Sequence, residues 1–326
     1  MKLKQNRSKL AGLAAAVLAV SAVVVPAAKS QIFNNRPTIQ IDGSSTVFPI
    51  TEAMAEEFQT ANRGAIRVTV GVSGTGGGFK KFCAGETQIS GASRPIKQKE
   101  IDLCKAAGIE FIELPVAYDA ITVVINPNNT WATEMTTDEL KKLWISGSEI
   151  DTWSDIRAGW PSAEVGLFGP GTDSGTFDYF VEAILGKNDQ GEKNESRADY
   201  TASEDDNILV VGVSRDQNAL GYFGLAYYEE NKDSLDAVAV NGILPSPATV
   251  NDGSYPLSRP IYIYISKDAA ENRADVQAFV NFYLNSANRG LISEVGYVPL
   301  PNADYTEALN RFNNRQIGRV PLREGL

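Results

Sequence analysis

Three short clusters of Ser, Thr and Gly each stand between a strand-like apolar run and a helix-like pattern. They occupy residues 43–46 (GSST), 73–78 (SGTGGG) and 171–176 (GTDSGT). The first backbone N–H groups of a helix have no partners within the helix and carry roughly half a unit of positive charge. Hydroxyl groups add further donors, and Gly lets the backbone approach a ligand closely. Together the clusters predict one site for a small tetrahedral oxyanion.

The first thirty residues have the pattern of a secretory signal. Four basic residues precede an apolar stretch over residues 10–25, and small residues follow at Ala27, Ala28 and Ser30. The apolar stretch is short for a membrane span. We therefore expect residues 1–30 to be a cleaved signal peptide and the mature protein to be periplasmic. A retained N-terminal anchor helix is the alternative.

Charge and composition exclude several classes of function. The chain of 326 residues has a formal net charge of −10, and removal of residues 1–30 takes away five basic residues and no acidic ones, which leaves −15. Such an acidic protein is a poor binder of nucleic acids and anionic lipids. The chain has no histidine. This excludes a Ser-His-Asp triad and a His-ligated zinc ion.

The two cysteines, Cys83 and Cys104, form an even pair 21 positions apart. Exported proteins meet an oxidising environment, in which such a pair forms a disulfide. We expect a Cys83–Cys104 disulfide. Two buried free thiols are the alternative.

Strand-like and helix-like segments alternate along the chain, which predicts an α/β fold with parallel sheets covered on both faces. Ligands of such folds bind at the carboxyl ends of strands, where all three clusters fall. Extended segments marked by proline at residues 114–118 and 255–260 are typical of crossings between two lobes. We expect lobe I over residues 31–116 plus 260–326 and lobe II over residues 117–259, joined by a hinge.

Local patterns predict individual elements. Residues 38–41 and 120–125 read as strands, as do residues 237–240. The spacing of Val47, Ile50, Met54 and Phe58 predicts a helix after the first cluster. A capping box of Thr136 and Glu139 predicts the start of another helix, over residues 136–145.

Three runs of sequence resemble the ligand-binding segments of the periplasmic phosphate-binding proteins of the PstS and SphX type. They are DGSSTVFPI at 42–50, GVSGTGGGFKKF at 71–82 and GPGTDSGTFDYF at 169–180. The segments ISGASRPI, LGYFGLAYY and VGYVPLP also resemble that family, in the same order along the chain. The resemblance implies a two-lobed periplasmic-binding-protein fold of type II, with two crossings and a ligand cleft between the lobes. It also implies a receptor that delivers inorganic phosphate to the membrane subunits of an ABC permease, as a monomer, without a cofactor and without catalysis.

The resemblance also implies a set of ligand donors in the three clusters. These are Ser45, Thr46 and the backbone N–H of Val47 in the first, Ser73 in the second with Thr75 as an alternative, and Ser174, Gly175 and Thr176 in the third.

The charged residues depart from the family pattern. Arg94 stands where well-known members have an aspartate, and Pro170 stands where they have an arginine. We therefore expect Arg94 to supply the cation for the ligand, binding two oxygens through its planar fork. A surface ion pair is the alternative for Arg94. The group that accepts the hydrogen of the ligand is left open between Asp173 and Asp42.

Three other functions are weighed against a phosphate receptor. The same fold could bind another tetrahedral oxyanion, such as sulfate, arsenate or molybdate. An exported hydrolase could use Ser174 as its nucleophile, although the chain offers no histidine as a base. A surface protein could keep the receptor fold without a ligand.

Overall fold

A computed structural model describes residues 36–172 and 174–320, and all structural statements below concern these residues. The predicted signal peptide and Asp173 lie outside them. Within the described ranges, no helix is both long enough and apolar enough to cross a membrane.

Twelve strands are present in the described part of the chain. They are β1 Thr38–Gly43, β2 Arg67–Val72, β3 Ile89–Ala92, β4 Phe111–Ile125, β5 Glu134–Met135, β6 Gly166–Pro170, β7 Thr201–Ser203, β8 Ala219–Gly224, β9 Asp236–Ala237, β10 Ala239–Val240, β11 Ser258–Ser266 and β12 Val298–Pro299.

Thirteen α-helices accompany the strands in the same ranges. They are α1 Phe48–Ala61, α2 Gly74–Cys83, α3 Gln98–Ala106, α4 Thr137–Trp144, α5 Trp153–Ile156, α6 Gly175–Phe180, α7 Asp206–Arg215, α8 Leu225–Asn231, α9 Pro247–Asn251, α10 Lys267–Asn272, α11 Ala274–Tyr283, α12 Gly290–Glu294 and α13 Asn302–Asn313. A π-helical stretch, Val181–Leu185, continues α6, and a 3₁₀ turn covers Ser286–Asn288.

One sheet runs through most of the molecule, in the order β2-β1-β3-β11-β4-β8-β6-β7, and β9 and β12 also pair with β4. The pairs of β1 with β2 and β3 are parallel, as are those of β6 with β7 and β8. In contrast, β11 runs antiparallel to β3 and β4, and β4 runs antiparallel to β8. The sheet is therefore mixed rather than parallel throughout.

The long strand β4 connects the two parts of this sheet. Its residues from Phe111 to Ala120 pair with β11, and those from Ile121 to Ile125 pair with β8. Nearly all of β4 is buried, which explains its almost continuous apolar sequence. The predicted lobe boundaries, at 116/117 and 259/260, fall within β4 and β11 and remain predictions.

Aromatic side chains fill the core on both sides of β4. Phe58 of α1 packs edge to face on Phe279 of α11, with ring centroids 5.2 Å apart. Beyond β4, Phe180 stacks on Tyr222 at 3.8 Å, and Trp144 contacts the edge of the same tyrosine at 4.9 Å. The first contact packs α1 against α11, and the other two pack α6 and α4 against Tyr222 of β8.

Several local predictions are confirmed. Strand β1 and helix α1 flank the first cluster, and Thr136 and Glu139 form the predicted capping box at the start of α4. The predicted strand at 237–240 is instead two short strands, β9 and β10, which pair with different partners. The strand predicted at 120–125 is the end of the much longer β4.

Candidate functional site

The first and third clusters meet at the starts of α1 and α6. Gly175 lies so close to Thr46 that a Cβ atom added at Gly175 would be 2.7 Å from the Cα of Thr46 and 2.9 Å from its Oγ1. Only glycine permits this approach, since real Cβ contacts are never so short. Two segments separated by more than 120 residues therefore bring their donors to one place.

Some donors of the two clusters are already used within their own turns. The backbone N–H of Thr46 donates to Ser44 Oγ at 3.2 Å, and that of Val47 donates to the carbonyl oxygen of Ser44 at 3.1 Å. In the third cluster, the N–H of Thr176 donates to Ser174 Oγ at 3.1 Å. The Val47 amide, which was predicted as a ligand donor, is thus already hydrogen-bonded within the first cluster.

A cavity of about 470 Å³ opens beside this junction. Ser45, Ser174, Gly175 and Thr176 line it, together with four acidic residues and the apolar or glycine residues of its rim. The acidic residues are Asp119, Glu204, Asp206 and Glu294. No lysine or arginine is among the described residues that line it. An anion bound here would depend on hydroxyl and backbone donors.

Arg259, in β11, is a charged residue at this junction that the sequence analysis did not identify. It is the cross-strand neighbour of Asp119 in β4, and its Nε donates to Asp119 Oδ2 at 3.1 Å. Its Nη2 donates to Thr46 Oγ1 at 3.3 Å, its Nη1 donates to Glu182 at 3.1 Å, and its guanidinium lies 3.9 Å from the ring centroid of Tyr179. Arg259 falls in the segment predicted as a crossing, and a charged residue inside such a segment was the available signal.

Burial shifts the pKa of two acids that line the cavity. Asp119 is deeply buried, and this raises its pKa although Arg259 acts in the opposite direction. Burial also raises the pKa of Asp206 to about 7, and the neighbouring charges of Asp205 and Glu204 add to the shift. Desolvation and like charges both disfavour the ionised form of a carboxyl group.

The second cluster is engaged by other side chains. Ser73 Oγ donates to Asp42 Oδ1, and Lys81 Nζ donates to Asp42 Oδ2 at 2.6 Å. The hydroxyls of Thr75 and Ser93 are 3.2 Å apart, within hydrogen-bonding distance. Neither Ser73 nor Thr75 is among the residues that line the cavity, and Asp42 is not either. Their predicted roles toward a ligand remain predictions.

Arg94 is likewise paired inside the protein. Its Nη1 and Nη2 donate to the two carboxylate oxygens of Glu100 at 2.9 and 2.7 Å. Burial alone would raise the pKa of Glu100, but the bonds from Arg94 and from the Lys97 N–H hold it below its usual value. This geometry differs from the expectation that the fork of Arg94 is free for a ligand, and it matches the alternative of an ion pair.

The two cysteines are joined. Cys83, at the end of α2, and Cys104, near the end of α3, form a disulfide with a Cα–Cα distance of 4.3 Å. Both are buried. The disulfide ties the helix that follows the second cluster to its neighbour, and the alternative of free thiols does not hold.

Comparison with known proteins identifies the family. The model described as PBP superfamily domain matches residues 28–287. The chain belongs to this superfamily. It is 53% identical over 293 residues to "Protein SphX" of Synechococcus elongatus, covering 87% of this chain and 84% of that protein. It is 37% identical over 279 residues to "Phosphate-binding protein PstS" of Staphylococcus saprophyticus, covering 84% and 83%.

The PBP superfamily assignment agrees with a solved structure. The crystal structure of a possible phosphate binding protein from Planctomyces limnophilus matches with a TM-score of 0.79 and 47% identity, and the match covers 86% of this chain and 98% of that one. The predicted fold class, a two-lobed α/β fold of the periplasmic-binding-protein type, is confirmed. The resemblance to the PstS and SphX family is confirmed as well.

Proposed function

We propose that this protein is a receptor that binds inorganic phosphate at the junction of the first and third clusters and delivers it to the membrane subunits of an ABC permease. In this proposal, Ser45, Thr46, Ser174, Gly175 and Thr176 hold the ligand. The observation that carries it is the contact of Gly175 with Thr46 beside a polar cavity. A relative named phosphate-binding protein PstS supports phosphate as the ligand.

The remaining predicted site residues are not assigned as ligand donors in this proposal, because other groups of the protein already bind them. Val47, Ser73, Thr75 and Arg94 contribute only if a ligand displaces the partners described above. Arg94→Gln separates the two roles. If Arg94 serves the ion pair with Glu100, the variant loses stability and keeps its phosphate affinity. If Arg94 is the cation of the ligand, the affinity falls more than a hundredfold.

The proposal places the mature protein in the periplasm as a monomer that performs no catalysis and needs no cofactor. Affinity arises from several hydrogen bonds that converge on one anion in a site with little water. Each bond to a charged group contributes about 1.5 to 3 kcal/mol. Release to the permease requires only that the site open.

Calorimetric titration of the mature protein with phosphate, sulfate, arsenate and molybdate tests the proposal. Submicromolar binding of phosphate with sulfate bound far more weakly is the expected result. Tighter binding of sulfate or molybdate would favour a receptor for another oxyanion. Absence of binding to all four anions would favour the alternative of a surface protein that keeps the receptor fold without a ligand.

A further inference from the structure

A groove of about 340 Å³ lies next to the cavity of the proposed anion site. Residues of α1, the end of α11, the 3₁₀ turn and α12 line it, and we call it the α1–α12 groove. Glu294 lines both the groove and the cavity. Residues 295–297, which follow α12 directly, line the cavity as well. An occupant of the groove would therefore lie at the edge of the anion site.

The α1–α12 groove combines apolar and acidic side chains. Phe282 and Leu291 are half-buried and supply apolar surface, and the ring of Phe282 packs edge to face on Phe58 at 5.5 Å. Glu57 and Glu294 are exposed and supply two carboxylates. Neither carboxylate forms an ion pair with another described residue. No lysine or arginine is among the described residues that line the groove.

This combination fits a cationic side chain with an apolar body. Lysine and arginine have long aliphatic stems that cover apolar surface while the charged end meets a carboxylate. A cation close to an aromatic ring gains a further attraction, which Phe282 can supply. The two carboxylates repel anions, so the groove is not a second phosphate site. Its volume is near the lower end of the range for small-molecule sites, about 300 to 1,000 Å³, which suits side chains that project from a partner.

The charge of the whole chain favours a basic partner over a second copy of the same protein. The chain has a formal net charge of −10, so two copies repel one another, whereas a basic protein surface is attracted. A permease that receives the anion must reach the mouth of the cavity. The α1–α12 groove adjoins that cavity through Glu294, so a permease segment bound in the groove would be in place for the transfer.

We propose that the α1–α12 groove is a docking site for a basic segment of the membrane subunits of the permease. An arginine or lysine of that segment pairs with Glu57 and Glu294. An apolar neighbour in the segment packs on Phe282 and Leu291. This inference rests on the proposed function and adds the surface through which the receptor binds its permease.

Glu57→Lys is the first test, because Glu57 lines the groove but not the cavity. The probe is the membrane subunits of the phosphate permease from the same organism, held in lipid nanodiscs. By biolayer interferometry, we expect the phosphate-loaded variant to bind the nanodiscs at least tenfold more weakly than the parent. Its phosphate affinity, measured by calorimetry, should stay within twofold of that of the parent.

Glu307→Lys is the matched control. Glu307 is also an exposed glutamate on a helix, α13, but it lines neither the groove nor the cavity. The control makes the same change in net charge, so a loss of nanodisc binding that came only from net charge would appear in both variants. We expect Glu307→Lys to bind the nanodiscs like the parent.

Photo-cross-linking locates the contact without a change of charge. Benzoylphenylalanine placed at Thr60, an exposed residue that lines the groove, should cross-link to a permease subunit in the nanodiscs. Adding Glu57→Lys should abolish this cross-link. The same label at Thr306, which is exposed on α13, should give none.

Two results would overturn the docking site. One is nanodisc binding by Glu57→Lys that equals that of the parent or of Glu307→Lys. The other is a cross-link from Thr60 to a second receptor molecule and not to the permease. Failure of the parent to bind phosphate, or failure of the phosphate-loaded parent to bind the nanodiscs, would instead overturn the proposed function and this inference with it.

Discussion

The second and third clusters have similar sequences but different surroundings. In the second, Ser73 and Thr75 bond to Asp42 and Ser93, near the start of α2. In the third, Ser174 caps its own helix, and the residues that follow it line a cavity. The two clusters thus have the same residue types, but only the third has Ser, Thr and Gly residues that line the cavity.

The difference arises from the neighbours of each cluster. Asp42 and Lys81 are close enough to satisfy one another and Ser73, so the second cluster forms a closed polar group. The third cluster faces Thr46 through a glycine and has no lysine or arginine among the described residues of the adjoining cavity wall. A cluster of Ser, Thr and Gly therefore predicts a binding site only when its donors are left unsatisfied.

Glycine substitutions in the two clusters should give the largest contrast. In Gly175→Ala, the new Cβ collides with the backbone of Thr46, which cannot move as a side chain can. We expect phosphate affinity to fall at least a hundredfold, about 3 kcal/mol. Gly76→Ala is the matched change in the second cluster, where a Cβ would meet no atom within 4 Å.

Gly76→Ala should keep the parent's phosphate affinity and raise stability by about 0.5 to 1 kcal/mol, since alanine favours the interior of α2. Calorimetry and urea unfolding of both variants give the comparison. Equal affinities for Gly175→Ala and the parent would show that the contact with Thr46 does not organise the site.

Removal of the disulfide tests whether α2, the helix that follows the second cluster, only supports the fold. Replacing Cys83 and Cys104 by alanine opens a covalent loop across 21 positions, and we expect unfolding free energy to fall by about 3 kcal/mol. Urea unfolding of parent and variant under non-reducing conditions measures the loss. If α2 serves only as support, phosphate affinity of the folded variant should change less than threefold. A larger loss would indicate that α2 presents groups to the ligand.

Lys81→Met tests the closed polar group itself. The change leaves Asp42 buried with one neutral partner, and we expect a loss of about 2 kcal/mol in unfolding free energy, because Lys81 is itself partly exposed. Asp42→Asn added to Lys81→Met should recover part of the stability, since the unpaired charge is gone. A tenfold fall in phosphate affinity in Lys81→Met would contradict the proposed difference between the second and third clusters. It would indicate that Ser73 contributes to the ligand site.

Several features that depend on local rules were predicted from the sequence. The capping box at Thr136, the strand-to-helix junctions and the cysteine pair follow from residues close in sequence or from the oxidising compartment. The pairing of Asp119 with Arg259 depends on the register between β4 and β11, across 140 positions. No periodicity encodes that register, so the buried ion pair at the site could not be predicted.

For Arg94, the sequence motif did not predict the partner of the side chain. Its place in a motif predicts a ligand contact, which stays a prediction, whereas the structure shows its guanidinium bound to Glu100 in the first turn of α3. A carboxylate six positions away offers the guanidinium two oxygens at once. Motif position indicates which residue type is present, whereas the nearest opposite charge determines where its side chain goes.

The smallest expected effect concerns Asp206, which shares the cavity with the third cluster. Burial and the nearby Asp205 and Glu204 raise its pKa to about 7. Between about pH 4 and pH 7 the folded state thus keeps a proton that the unfolded state has lost. The contribution of this group to stability is therefore full at low pH and declines as the pH rises toward 7.

Asp206→Asn removes this decline. Against the parent, we expect the variant to gain about 1 to 2 kcal/mol in unfolding free energy at pH 8, less than the full shift of the pKa would give, because Asp206 retains some solvent contact and favours the start of α7. Urea unfolding without phosphate at pH 4.5, 6 and 8 measures the difference, with Asp189→Asn, at an exposed position, as the control. The gain should shrink toward zero at pH 4.5. A gain that is the same at all three pH values would mean that Asp206 is ionised throughout, and that the cavity beside the third cluster is wetter than its burial suggests.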